Sequence, residues 1–264
     1  MPSISRHLQL AHPKQRPIRI GLLLCGNVHA ALQPVFGSYE HCLINKLQLH
    51  GRHVEIKVWR AWQNELPYSV AEADAYVVSG SPASVLDREY WIDLLGAFIR
   101  RAHSANRRLL GICFGHQMIH HALGGKVARA STGWGLGVYS IQLYHKITSL
   151  ASCESIALFA MHRDQVIVPA EGFDHLGGNA FCPYYLLSHT DNILTIQGHP
   201  EFTRHFFDAF LTVTATQFDA NTVTNARLSM QKNDDSDVIC GVINRFLLGR
   251  LLPTREICAQ PSKC

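Results

Sequence analysis

Residues 108–117 read RLLGICFGHQ, a short apolar run followed at once by a cysteine between two glycines. The run 108–112 predicts a buried strand, and a helix is predicted to begin near His116. The flanking glycines would let strand and helix approach closely around a sharp turn, which is the spacing of a nucleophile elbow with Cys113 in the usual serine position. A helix N-terminus beside the sulfur would also favour thiolate over thiol. The alternative interpretation is a buried cysteine between two turn glycines.

A base for this cysteine is offered by a second motif, QGHPE at 197–201. It stands at the end of another predicted buried strand, 193–197. The proline fixes the backbone between His199 and Glu201, so both side chains can be held on the same side of the loop. Glu201 would then orient His199, and His199 would face the sulfur. Without the cysteine motif, the same residues would be interpreted as a solvated turn.

Attack on a carbonyl by this cysteine would also need hydrogen-bond donors for the oxyanion. The backbone N–H of Phe114 is one candidate. The turn SGSP at 79–82 ends the predicted buried strand 75–78, which we expect to neighbour the cysteine strand. This turn is the candidate source of the second donor.

Strand and helix patterns alternate along the rest of the chain. They occur as strand 18–24, helix 39–50, strand 54–59, strand 75–78, helix 89–103, strand 108–112, strand 193–197 and helix 202–211. This order is typical of an α/β protein in which helices cover both faces of a mostly parallel sheet. Residues 138–145 alternate like a half-exposed antiparallel strand, which predicts a small antiparallel extension.

A single domain is predicted at residues 18–250, with an N-terminal extension at 1–17 and a C-terminal tail at 251–264. A polar stretch at 219–237 carries no predicted element and precedes a predicted helix at 238–248. The stretch would cover either the pocket or a partner surface.

Composition excludes several classes of protein. Hydrophobic residues make up 47% of the 264 residues and charged residues 17%, which suits a folded chain and not a disordered one. The net charge of +4 is spread along the chain without a basic run, so no nucleic-acid partner is expected. The apolar stretch 18–25 is too short to span a membrane, and the N-terminus lacks a signal-peptide core. Eight scattered cysteines without a CxxC pair indicate a reducing compartment, and we expect a cytoplasmic protein.

Neither a metal nor a cofactor is predicted. His116, His120 and His121 cluster on one predicted helix, but no carboxylate joins them in an HExxH arrangement. The glycine-rich segment 133–137 lacks the lysine of a phosphate loop and is interpreted as the start of a strand. The aspartates at 234–237 lack calcium-binding spacing and predict a solvated loop.

Three motifs, VSGSP at 78–82, GICFGHQ at 111–117 and QGHPE at 197–201, together resemble the class I glutamine amidotransferase domain. The resemblance runs from Ile18 to Phe206 and is nearest to free-standing members, including the γ-glutamyl peptidases. It implies a flavodoxin-like, doubly wound sheet and a γ-glutamyl-thioester intermediate. It implies a catalytic triad of Cys113, His199 and Glu201. It also implies an oxyanion hole around Gly80, Ser81 and Phe114.

The same resemblance implies where the glutamyl group binds. The family's substrate-binding glutamine falls on Gln117, and the segment MHRDQV at 161–166 matches the part of the pocket lined by backbone, which adds Met161 and His162. Two residues depart from the pattern. Ser81 stands where many members have a second glycine, and Met161 stands where many have a serine.

Three functions remain open at this level. The first is a stand-alone hydrolase or peptidase acting on a small γ-glutamyl compound. The second is a glutaminase subunit that passes ammonia to a separate synthase partner. The third is a binding or sensor protein whose cysteine is reactive but does not hydrolyse substrate. The full set of motifs favours the first two over the third, and the absence of a phosphate loop after Phe206 favours the first.

Overall fold

The computed structural model describes residues 16–144, 150 and 153–250. In these residues, strands form a nine-stranded sheet in the order β2-β1-β3-β4-β11-β10-β9-β6-β7 and a separate two-stranded sheet, β5-β8. The strands are β1 Ile18–Leu24, β2 Val54–Arg60, β3 Ala75–Val78, β4 Arg108–Ile112, β5 Lys126–Arg129, β6 Gly135–Leu143, β7 Ser155–His162, β8 Asp164–Val168, β9 Asp174–Gly178, β10 Leu186–His189 and β11 Ile193–Ile196. The helices are α1 Gln33–Phe36, α2 Tyr39–Lys46, α3 Tyr90–Ser104, α4 Phe114–Ala122, α5 Arg204–Thr214, α6 Ala220–Ser229 and α7 Ser236–Leu247.

The parallel half of the large sheet consists of β2, β1, β3, β4 and β11. Their order is that of flavodoxin-like doubly wound folds, which confirms the predicted fold class. All residues of β3 and β11 are buried, because helices cover both faces. Loops at the carboxyl ends of such strands converge on one edge, where ligands bind in open α/β sheets.

The two faces of the sheet carry separate apolar clusters, since successive side chains of a strand point to opposite sides. Leu22 belongs to one cluster and Leu23 to the other. Helices α2, α5 and α7 pack on the first face, and α3 and α4 pack on the second. The buried helix residues that show this are Leu43, Phe207 and Ile243 on the first face, and Phe98 and Ile119 on the second.

The predicted antiparallel extension is present and comprises β10, β9, β6 and β7. Its predicted strand 138–145 is β6, which begins earlier, at Gly135, within the glycine-rich segment interpreted as a strand start. Residue 145 lies outside the described residues. So do residues 1–15 of the predicted extension and the whole tail 251–264, so the predicted domain bounds stay a prediction.

Two helices differ from their predicted bounds for local reasons. The helix predicted at 39–50 is α2 and ends at Lys46, because Gln48 takes a positive φ of 52° that no α-helix continues. The helix predicted near His116 is α4 and begins earlier, at Phe114. The other elements agree with the prediction to within a few residues.

The stretch 219–237 contains the helix α6, so the prediction of no element there is wrong. The Asp219 carboxylate caps this helix by accepting a hydrogen bond from the Thr222 N–H at 2.9 Å. Only Ala226 of the helix is buried, so the apolar periodicity that marks an amphipathic helix is absent from the sequence.

His116 and His120 on α4 are completely buried, in contrast to the predicted helix surface. Burial lowers the pKa of both, to about 3 for His120. Both imidazoles are therefore neutral near pH 7, and His120 Nδ1 accepts a hydrogen bond from the Ala170 N–H at 3.1 Å. Among the described residues, no cluster of three or more His, Cys, Asp or Glu is placed to hold a metal ion. No described helix combines the length and the apolar character needed to cross a membrane.

Candidate functional site

Cys113 lies at the junction of β4 and α4 in the geometry of a nucleophile elbow. It is the N-cap of α4 with φ 51° and ψ −103°, a strained conformation for a residue with a side chain. The flanking glycines are required by space. A Cβ on Gly111 would lie 2.6 Å from the Gly115 carbonyl oxygen, and a Cβ on Gly115 would lie 2.0 Å from the Val78 carbonyl oxygen. The predicted strand, sharp turn and helix are therefore all present.

His199 and Glu201 form a buried hydrogen-bonded pair in the loop after β11. The distance between His199 Nδ1 and Glu201 Oε1 is 2.6 Å, and the two residues are 2% and 3% exposed. The His199 ring stacks on Phe202 at a centroid distance of 4.1 Å. Among the described residues, Nε2 has no hydrogen-bond partner. Cys113 and His199 line the same pocket, so the structure brings the two sequence motifs together.

The charges around His199 favour its protonated form. Burial alone lowers its pKa, but the negative charges of Cys113 and Glu201 outweigh burial and raise the pKa to about 10. A protonated imidazole can stabilise a neighbouring thiolate and can later donate a proton. The pair therefore has the electrostatics of an acid–base group.

Tyr39 completes this arrangement, and sequence analysis missed it. Its hydroxyl donates a hydrogen bond of 2.6 Å to Glu201 Oε1, the same oxygen that receives His199 Nδ1. Tyr39 is 8% exposed, and its N–H donates to Asn27 Oδ1 at 3.1 Å. No motif surrounds Tyr39 in the sequence, and only the approach of α2 to the loop after β11 reveals its role.

Replacing Tyr39 by phenylalanine is expected to lower kcat for the reaction proposed below by about tenfold, with KM nearly unchanged. The carboxylate would lose one of its two donors and hold His199 less firmly. Steady-state kinetics on the purified variant would measure the split between kcat and KM. Tyr76→Phe is the matched control, because the buried Tyr76 hydroxyl accepts from the Ala73 N–H at 3.1 Å and lies outside the pocket. An unchanged kcat in Tyr39→Phe would leave Tyr39 with a structural role only.

A chain of side-chain amides runs beneath the sulfur. Gln197 Nε2 donates to Cys113 Sγ at 3.6 Å, and Gln117 Nε2 donates to Gln197 Oε1 at 3.2 Å. Gln117 Nε2 also donates to the Asp164 carbonyl oxygen at 2.7 Å, while the Met161 carbonyl oxygen lies 3.8 Å from the sulfur. Gln197 belongs to the quoted QGHPE motif, but its contact with the sulfur was not predicted. The amide donor favours a charged sulfur.

The residues predicted for the oxyanion hole all line this pocket. Phe114 is the first residue of α4, where backbone N–H groups have no acceptor within the helix. A Cβ on Gly80 would lie 2.8 Å from the Tyr39 hydroxyl and 3.0 Å from His199 Cε1, so only glycine fits there. Ser81, which replaces a second glycine, donates from Oγ to the Cys25 carbonyl oxygen at 2.7 Å and so anchors the loop to the end of β1.

The pocket has a volume of about 500 Å³ and opens at the carboxyl ends of the parallel strands. Met161 and His162 line it, as predicted from the sequence segment 161–166. Burial lowers the pKa of His162 to about 3, so this imidazole is neutral near pH 7. Asp164, also in the wall, accepts from Arg129 Nε at 3.1 Å and from Ser84 Oγ at 2.6 Å.

Known proteins share both the sequence pattern and the fold of this chain. The family model described as "Glutamine amidotransferase class-I" matches residues 33–214. The chain is 28% identical to gamma-glutamyl peptidase 2 of Arabidopsis thaliana, across 66% of this chain and 71% of that protein. It is 29% identical to the glutamine-hydrolyzing subunit of GMP synthase from Sulfolobus acidocaldarius, across 62% of this chain and 85% of that protein. A solved glutamine amidotransferase from Thermotoga maritima has the same fold, with a TM-score of 0.68, 15% identity and coverage of 91% of this chain and 100% of that one.

Proposed function

The chain belongs to the class-I glutamine amidotransferase family, and we propose that it is a cysteine hydrolase that cleaves γ-glutamyl amide bonds. The observation that carries the proposal is the meeting of the Cys113 elbow with the hydrogen-bonded His199–Glu201 pair in one buried pocket. The similarity to a gamma-glutamyl peptidase supports a hydrolytic role. In this proposal Gln117, Met161 and His162 are the residues that hold the glutamyl group.

The first half of the reaction transfers the glutamyl group to sulfur. The Cys113 thiolate forms a C–S bond with the δ-carbonyl carbon, and the carbonyl π electrons move to oxygen. Backbone N–H groups of Phe114 and of the Gly80–Ser81 loop are placed to stabilise this oxyanion. As the carbonyl re-forms, the C–N bond breaks and the His199 imidazolium donates its proton to the leaving amine.

The second half restores the enzyme. His199, now neutral, takes a proton from a water molecule as the water oxygen bonds to the thioester carbon. The C–S bond then breaks, which releases glutamate and leaves Cys113 as thiolate beside a protonated His199. Glu201 stays ionised throughout and holds the imidazole in one orientation, with Tyr39 holding Glu201.

Replacing Glu201 by glutamine should move the alkaline limb of the pH profile to lower pH. The Glu201 charge helps to raise the pKa of His199, so its removal lets that pKa fall towards the ordinary value of 6.5. A raised pKa keeps the imidazolium at neutral pH and loses it as pH rises through about 10. The profile of kcat/KM against pH reports these ionisations in the free enzyme. An alkaline limb that stays in place would contradict the electrostatic role of Glu201.

A second candidate function is a glutaminase subunit that delivers ammonia to a separate synthase. The similarity to a glutamine-hydrolyzing GMP synthase subunit favours it. Both candidates use the same site, and they differ in the amine that leaves and in the need for a partner. The third possibility, a non-hydrolytic sensor, gives no role to the buried His199–Glu201 pair. We also propose a cytoplasmic location, because the six cysteines of the described residues are free thiols.

Incubation of the purified protein with glutamine and with a panel of γ-glutamyl peptides and amides tests the proposal. Glutamate, ammonia and released amines are quantified by mass spectrometry. Cleavage of γ-glutamyl amides by the protein alone, with little ammonia from glutamine, is the expected result. Slow release of ammonia from glutamine alone would favour the role as a synthase component. No turnover of any compound, with a thiol that still labels readily, would favour the sensor.

A further inference from the structure

One wall of the pocket is built from side chains spaced four residues apart. The wall residues, all of which line the pocket, are Phe202, Phe206, Phe210, Thr214 and Phe218. Three of them lie on α5, where a spacing of four places side chains on the same face of the helix. We call this set, together with Trp134, the aromatic wall.

The aromatic wall adjoins the residue that protonates the leaving amine. Phe202 stacks on the His199 ring at 4.1 Å with an interplanar angle of 7°, and Phe206 follows at 4.7 Å from Phe202. In the proposed mechanism, His199 must lie beside the nitrogen of the leaving group. The wall that continues from His199 is therefore on the leaving-group side of the scissile bond.

The wall is completed by residues from outside the common part of the family. Phe218 lies beyond the matched residues 33–214, and its ring meets Trp134 edge to face at 5.0 Å. The helix α6 that follows Phe218 is anchored to β6, because Ser229 Oγ accepts from the Val138 N–H at 2.8 Å. Trp134 is 40% exposed, so a large aromatic surface is open to a ligand.

Charged groups of the pocket are found together elsewhere. Asp164 accepts from Arg129, and its backbone carbonyl accepts from Gln117, the residue assigned to the glutamyl group. Arg163 is the neighbour of Asp164 and also lines the pocket. The charged amino-acid end of a γ-glutamyl substrate is matched by these groups, which leaves the aromatic wall for the leaving amine.

We propose that the aromatic wall is a subsite for a leaving amine that carries an aromatic or large aliphatic group. The proposal rests on the proposed γ-glutamyl hydrolysis and specifies its substrate class. A pocket of about 500 Å³ is of the size that buries drug-sized ligands, which are much larger than glutamine. Apolar surface on the leaving amine would be removed from water against the phenylalanine rings and Trp134.

The test compares two γ-glutamyl amides, the 2-phenylethylamide and the ethylamide, whose amines have similar basicity. We expect kcat/KM to be at least about tenfold higher for the phenylethylamide, because one buried ring contributes more than the methylene steps that give such ratios. Phe210→Ala and Phe218→Ala should each lower this ratio several-fold. Val213→Ala is the matched control on α5, because Val213 is exposed and lies outside the pocket. It should leave the ratio unchanged.

The ratio is measured within one protein, so a partly unfolded variant does not alter it. A wild-type ratio near one would overturn the subsite while leaving γ-glutamyl hydrolysis intact, and so would a ratio that neither phenylalanine variant changes. Calorimetric binding of both amides to Cys113→Ala gives a readout without turnover. Tighter binding of the phenylethylamide, with no hydrolysis by wild type, would keep the apolar subsite and overturn the proposed function. Absence of both hydrolysis and preferential binding would overturn both.

Discussion

Replacing Cys113 by alanine removes γ-glutamyl hydrolysis, with an expected loss in kcat of roughly 10⁴-fold or more. The alanine has no sulfur to form the thioester, so the two-step route through the glutamyl enzyme is closed. Alanine differs from cysteine only by that sulfur, so we expect the turn at φ 51° and its backbone oxyanion donors to stay in place. Glutamate release by the variant and the wild type, measured side by side, gives the ratio.

Cys153→Ser is the matched control, because Cys153 is an exposed free thiol and does not line the pocket. It should keep the wild-type kcat, and its far-ultraviolet circular dichroism should match that of Cys113→Ala. Wild-type rates in Cys113→Ala would sink the assignment of the nucleophile. A rate between these limits in Glu201→Gln is consistent with a residue that orients the base and forms no bond to substrate.

The second large effect is on stability. Gly115→Ala is expected to lower the free energy of unfolding by about 3 kcal/mol or more. The new Cβ would lie 2.0 Å from the Val78 carbonyl oxygen, and backbone on both sides prevents an easy shift. Helix α4 would have to retreat from β3 and carry Cys113 with it. Urea unfolding followed by fluorescence measures the change, and hydrolysis should fall even where the variant is still folded.

Gly241→Ala makes the same substitution in another helix with the opposite expected sign. The nearest atom to its new Cβ is Arg245 Nη1 at 3.8 Å, so nothing is displaced. Alanine has a better helix propensity than glycine by about 1 kcal/mol, and the variant should be slightly more stable than wild type. Equal stability changes in the two variants would show that the contact between α4 and β3 is looser than the structure indicates.

Local patterns in the sequence determined the parallel half of the sheet and the core of the site. Apolar runs such as 75–78 and 108–112 are typical of strands buried on both faces, and glycines mark where each strand ends. Parallel strands place their carboxyl ends at one edge, so the cysteine and histidine motifs meet there once the strand order is known. Cys113, His199 and Gln117 could be predicted as neighbours for this reason, and the structure places all three in one pocket.

Only the tertiary structure decided which groups surround that core. Tyr39 bonds to Glu201 from 162 residues away, and Gln197 turns its amide to the sulfur instead of the solvent. Such hydrogen bonds depend on how close two distant segments come, which no local pattern encodes. The polar helix α6 has no apolar stripe to announce it, yet its packing on β6 anchors the segment that brings Phe218 to the pocket. The sequence by itself therefore determined the strand framework and the reacting residues, while tertiary packing decided the second hydrogen bond to Glu201 and the aromatic wall.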